Sequence, residues 1–204
     1  MRSVLISIQP YWVFLIIAKT MGWNIEREKT VEVRKTFPKD ENWNKVAKIY
    51  CSKDKNSFAK IPSQYKPLME QFLGKVIGEF VCNEIINIFA DEHCAYFHKT
   101  CLTNKEFDKY CDGLPCVKGW RISDLVIYDK PKELSEFITV DKEAIKQCEH
   151  RERVYQNPDY VNGAWLFGGY VCNKGEIDWC CDCKRKPLKR PPQSWCYVEN
   201  DFKE

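Results

Sequence analysis

The stretch Lys29-Thr30-Val31-Glu32-Val33-Arg34 decides how this chain is read. Strand alternation puts Val31 and Val33 on one face, and Thr30, Glu32 and Arg34 on the other. A face that carries Glu and Arg is not a core face. It is either an exposed ion pair on an ordinary strand, worth little, or the lining of a site. Upstream, Ser3–Ile8 reads as a strand, and Pro10 suits the first turn of a helix from Tyr11 to about Met21, ended by Gly22. Downstream, Val46–Cys51 is expected as a strand and Pro62–Leu73 as a short helix closed by Gly74. Lys75–Ile88 is expected as one long strand, bent or bulged at Gly78. Within residues 90–118, read as an insertion, Thr103-Asn-Lys-Glu106 fits a capping box for a helix to about Tyr110. Trp120–Tyr128 and Ser194–Val198 are further strands, and residues 141–155 are charged and helical in pattern.

The chain has 204 residues, with 32 Lys and Arg against 29 Asp and Glu, a net charge of +3. Its 44% hydrophobic and 14% aromatic content builds a core, which excludes a disordered chain. A charge of +3 does not indicate a nucleic-acid partner by itself, so any basic site must be local. No G-x-G-x-x-G or Walker loop is present, which disfavours those nucleotide folds. The apolar segment Val4–Ala18 is broken by Gln9-Pro10 and lacks a small-residue cleavage site, and Val13–Ala18 is too short to span a bilayer. It reads as a strand and a buried helix of a cytoplasmic protein with no membrane partner.

Five or six short strands with two or three helices between them point to a small mixed or antiparallel barrel with helices at its ends. Gln9-Pro10-Tyr11, a helix, and then Lys29 to Arg34 resemble the ASCH domain family, relatives of the PUA RNA-binding fold. The hallmark of that family is G-x-K-x-x-E-x-R just after the first helix. Lys29, Glu32 and Arg34 match it, while Arg27 stands at the glycine position. Gly74–Phe80 and Trp120–Tyr128 resemble later strands of the family, and Arg190–Val198 resembles the last strand of a bacterial and prophage subgroup.

The resemblance implies an α+β fold, a small PUA-like mixed β-barrel with flanking helices and a Cys-rich C-terminal extension. Residues 1–137 would form the barrel domain with its insertion 90–118, residues 138–190 the Cys-rich basic extension, and residues 191–204 the returning last strand and tail. It also implies a cleft lined by the hallmark residues that takes RNA or a nucleoside. Some relatives are amidohydrolases acting on acetylcytidine, and nuclease activity occurs in others. Lys29 and Arg34 offer cationic donors to a phosphate or a carbonyl oxygen. Glu32 offers an acceptor for a base amino group, or a general base for water. The amidohydrolases place a Thr three residues after the Lys, where this chain has Glu32. Gln9, Tyr11 and Thr30 are expected beside the hallmark residues. The basic run Lys184–Arg190 precedes Trp195 and Tyr197, so Lys189 and Arg190 are expected on phosphate and Trp195 on a base.

Twelve cysteines stand beside three histidines. Cys51 and Cys82 fall in expected strands as buried thiols. Cys180 and Cys183 have the C-x-x-C spacing of a zinc knuckle, and Cys148 and Cys172 are the expected further ligands of a structural zinc. Cys181 and Cys196 are alternates, His150 lies nearby, and free thiols or disulfides are the other readings. In the insertion, Cys94 and His98 share a helical face, with His93, Cys101, Cys111 and Cys116 close in sequence. The expected function is an RNA- or nucleotide-binding module. A hydrolase using Lys29 and Glu32 in the same cleft is the alternative, and a zinc-stapled protein-interaction module the third.

Overall fold

The computed structural model of the chain describes residues 2–39, 43–89, 96–140 and 185–200. In order, its elements are β1 (Arg2–Ile8), α1 (Pro10–Ile17), β2 (Val31–Arg34), β3 (Trp43–Cys51), α2 (Lys55–Ala59) and α3 (Lys66–Phe72). They continue with β4 (Val76–Val81), β5 (Ile85–Phe89), α4 (Asn104–Cys111), β6 (Cys116–Arg121) and β7 (Ser123–Lys132). The last three are β8 (Phe137–Val140), β9 (Arg185–Pro187) and β10 (Trp195–Asn200). Two compact units result: Met1–Leu134 with Arg190–Tyr197, and Ser135–Lys189 with Val198–Glu204. Among the described residues no helix is long and apolar enough to cross a membrane.

The first unit holds two sheets. One has the strand order β7-β4-β3-β1-β10, with β1 parallel to β3 and both β3–β4 and β4–β7 antiparallel. The other is antiparallel, in the order β2-β6-β5. The class is α+β with mixed sheets, as expected, but the described strands form no closed barrel. Helix α1 is apolar all round and buries Val13 to Ile17 against Val4, Ile6, Ile8, Ile49 and Phe80. Its regular part stops at Ile17, and the chain then turns through Gly22, whose φ of +67 suits glycine. A second core forms where Phe107 and Cys111 of α4 pack on Val31, Val33, Ile88 and Val117. The segment read as an insertion thus supplies a wall of this core. Its capping box is present, with Thr103 and Glu106 bonding reciprocally.

Two expected strands each divide in two. Lys75–Ile88 breaks into β4 and β5, and Trp120–Tyr128 belongs to β6 and β7, so both change sheets. Long-range backbone bonds hold the breaks: Cys82 N donates to Lys45 O (2.8 Å), Arg121 N to Glu84 O (3.1 Å) and Ile122 N to Thr30 O (2.9 Å). These three donors stay paired at the crossings, which limits the penalty for the change of sheet. The expected helix Pro62–Leu73 is a 3-10 turn at Ser63–Tyr65 followed by α3, and α2 precedes it, capped by Asp54. Gly78 sits where the β4 register shifts, and a Cβ there would lie 2.2 Å from Val126 O. In the second unit β8 pairs with β9 and with Glu199 and Asn200, and Phe137, Leu188 and Val198 are buried.

Candidate functional site

Strand β2 lies at the edge of the three-stranded sheet, its register fixed by the pairs Glu32 with Trp120 and Arg34 with Lys118. The alternation expected from sequence separates its faces. Val31 and Val33 enter the second core, leaving Glu32 and Arg34 to the opposite face. That face is buried: Lys29, Glu32 and Arg34 are only 3%, 6% and 8% exposed. An exposed ion pair is therefore not what this strand carries.

Lys29 sits just before β2, with its backbone N on Leu15 O of α1 (3.2 Å). Its Nζ donates to Thr100 O (2.8 Å) and Val31 O (2.9 Å) and lies 3.3 Å from Glu32 Oε2. It also lies 5.3 Å from the centre of the Trp12 ring, a cation–π distance. Burial pushes the Lys29 pKa below its ordinary value, and the Glu32 carboxylate opposes that shift. Two carbonyl oxygens thus accept from Nζ, and the Glu32 carboxylate adds an ion-pair contact. Arg34 Nη2 donates to Ser7 O of β1 (2.6 Å) and contacts Glu32 Oε1 at 2.9 Å. Glu32 is thus held between two cations, and Arg34 joins β2 to β1 of the larger sheet.

A cleft of about 560 Å³ opens over this triad. Trp12, Leu102 and Tyr110 line it, and Gln9, Ser52, Asp54, Lys35 and Ser194 also face it. Tyr110 is fixed by its hydroxyl, which donates to Val33 O (3.2 Å), and burial raises its pKa. Asp54 Oδ1 accepts from Ser57 N (2.7 Å), while Oδ2 lies 3.5 Å from Gln9 Nε2.

The structure brings Gln9, Lys29, Glu32 and Arg34 together. Tyr11 and Thr30 do not line the cleft. Tyr11 packs on Trp12 and Phe14, with its backbone N on Ser57 Oγ (3.0 Å). Thr30 N donates to Lys99 O (3.0 Å). Trp195 is also outside the lining, and its Nε1 donates to Thr36 Oγ1 (3.1 Å) while its ring packs near Trp120. Its neighbours Gln193 and Ser194 do reach the cleft. Arg190 is exposed and not part of the lining, and Lys189 belongs to the second unit. Trp12, Ser52, Leu102, Tyr110 and Ser194 had not been picked out for the cleft from sequence. Tyr110 had a signal, since it falls in the last turn of the capping-box helix.

Cys148, Cys172, Cys180 and Cys183 lie outside the described residues, as do Cys181, His150, His93 and Cys94. Cys51, Cys82, Cys101, Cys111, Cys116 and Cys196 are free thiols. Burial pushes the pKa of Cys51 up to about 12 and that of Cys196 to about 11. Among the described residues no group of three or more His, Cys, Asp or Glu side chains could hold a metal ion.

No protein-family model matches the sequence. No curated protein matches it either. Three crystal structures from Zymomonas mobilis are similar in fold. One is of ASCH, 18% identical over 65% of this chain and 73% of that chain, with a TM-score of 0.43. A single-substitution ASCH mutant protein is 16% identical over 66% and 77%, with a TM-score of 0.45. A second mutant is 13% identical, covers 97% of this chain and 88% of that chain, and has a TM-score of 0.50. That last likeness spans nearly the whole chain, and with it the mixed sheets and few helices identify the chain as having an ASCH-type fold.

Proposed function

We propose that the chain is an RNA- or nucleotide-binding module of the ASCH type, whose ligand enters the cleft over Lys29, Glu32 and Arg34. The observation that carries this reading is a buried ionic triad, two cations to one carboxylate, beneath a cleft walled by Trp12 and Tyr110. The cleft volume falls in the range of small-ligand sites, about 300–1,000 Å³. Aromatic walls beside cationic donors suit a stacked base and its backbone.

The test is a fluorescence titration with single-stranded RNA and with mononucleotides, which Trp12 at the cleft reports. Saturable binding, weakened by Arg34→Lys, supports the reading, because a lysine keeps the charge but loses the planar fork. Absence of binding by the intact chain to any of these ligands would sink it. A hydrolase in the same cleft is the competing use. Both Glu32 oxygens face cations, at 2.9 and 3.3 Å, which suits a fixed counter-ion better than a proton carrier. Product from acetylcytidine or from RNA, lost in Lys29→Met, would move the reading to catalysis.

A further inference from the structure

We infer that this cleft is built for an anionic group, the phosphate of a nucleotide or of an RNA strand, and not for an uncharged nucleoside. The inference rests on the RNA- or nucleotide-binding reading and narrows it. It starts from charge. Lys29 Nζ lies 3.3 Å from the Glu32 carboxylate, an ion-pair distance, and Arg34 is always charged. Glu32 is the one carboxylate in that buried network, so a surplus positive charge is held at 3–8% exposure. Of the other charged residues of the lining, Lys35 lies 3.7 Å from Asp112. Asp54 is moreover engaged in capping α2 and in its contact with Gln9. A desolvated surplus cation is stabilised by an incoming anion far more than one in water.

Unused hydrogen-bond donors make the second argument. Arg34 Nε and Ser52 Oγ are both buried without a hydrogen-bond partner, and both residues line the cleft. An unpaired buried donor is costly to leave. An N–H of a guanidinium only donates, and a hydroxyl is able to. Two orphaned donors beside a surplus cation fit an acceptor-rich anion. The third orphaned atom, Glu32 Oε2, is an acceptor, and it faces the Lys29 ammonium. Lys29 spends two of its donors on the Val31 and Thr100 carbonyls. It contributes its field, while Arg34 and Ser52 make the contacts.

The experiment compares cytidine, cytidine 5′-monophosphate and a short single-stranded RNA by calorimetry at fixed ionic strength, with inorganic phosphate as competitor. The nucleotide is expected to bind at least about tenfold tighter than the nucleoside, with an advantage that shrinks as salt rises. Inorganic phosphate should displace it. RNA that binds and is displaced by phosphate while the mononucleotide is not retained would name a phosphodiester as the source. Ser52→Ala removes a hydroxyl that has no partner in the free protein. It should therefore leave the melting temperature in place and weaken nucleotide binding about fivefold or more, which a merely structural serine would not do. Equal binding of cytidine and its monophosphate would overturn the inference while leaving the binding reading intact. Absence of binding by all three ligands would overturn the binding reading itself.

Discussion

Glu32→Gln is the sharpest perturbation of this structure. Glutamine has the shape of glutamate, so packing is preserved and only the charge is lost. The two cations at 3.3 Å and 2.9 Å then have no buried counter-charge, and a glutamine amide N–H faces one of them. Removing one partner of a buried ion pair costs about 3–5 kcal/mol, against about 0–1 kcal/mol for an exposed pair. The buried figure applies because all three residues are nearly excluded from solvent. For a chain of this length each kcal/mol moves the midpoint by about 2–4 °C, so the expected fall is about 6–20 °C. Tryptophan fluorescence during thermal and urea unfolding reads it, since Trp12 and Trp120 report on the cleft and the main core. The double change Lys29→Met with Glu32→Gln removes one cation together with the carboxylate. Its cost should therefore be less than the sum of the two single costs, by about 0.5–3 kcal/mol. A Glu32→Gln midpoint within about 2 °C of the parent, with strictly additive single changes, would refute the buried-network reasoning.

Lys29 also predicts a pH dependence. Its folded pKa lies below its unfolded value, so between the two the unfolded chain binds more protons and stability rises with pH. The stability of the parent relative to Lys29→Met should therefore climb as pH rises toward the ordinary lysine value of 10.5; a flat difference in urea midpoints would contradict it. Gly78→Ala places a Cβ 2.2 Å from Val126 O, a backbone atom that a side-chain rotation cannot move. It should cost about 3 kcal/mol or more, the upper end for overpacking, and a loss under about 1 kcal/mol in chemical denaturation would show that β4 and β7 separate easily. The structural zinc proposed for Cys148, Cys172, Cys180 and Cys183 predicts one zinc per chain by elemental analysis, released in Cys180→Ser with Cys183→Ser. A metal-free parent protein would remove that site.

What was legible in the sequence was local. The alternation of Val31 and Val33 with Glu32 and Arg34 gave the two faces of β2, and the Thr103 to Glu106 spacing gave α4 and its cap. Both patterns are set by the geometry of a few adjacent residues. The sheet changes at residues 82–84 and at Ile122 were not legible. Both segments stay rich in strand-forming residues, and partners distant in sequence decide the breaks, such as Lys45 O for Cys82 N and Thr30 O for Ile122 N. The hallmark residues were readable by type, but their burial was not, since the same spacing occurs on exposed strands. The acceptors that fix them, Ser7 O and Thr100 O, are backbone carbonyls that any residue supplies. Trp195 was singled out because aromatics stack on bases. It instead donates to Thr36 two residues beyond Arg34, and that partner belongs to a loop with no pattern of its own.

The placement of the triad bears on why such a costly group exists. Arg34 reaches from β2 to Ser7 of the larger sheet, and Lys29 reaches from the start of β2 to Thr100 of the segment before α4. The ionic side chains thus occupy the seam where three parts of the first unit meet. Apolar side chains of similar volume fill such a seam at equal or lower free energy, because a buried ion pair seldom recovers its desolvation cost. This network is worse placed than a simple pair, since one of its two cations has no matching carboxylate. Arg34 Nε and Ser52 Oγ add two unpaired polar atoms to the same spot. Stability alone therefore does not account for the arrangement. The anion inferred for the cleft floor would neutralise the surplus charge and accept from both unpaired donors.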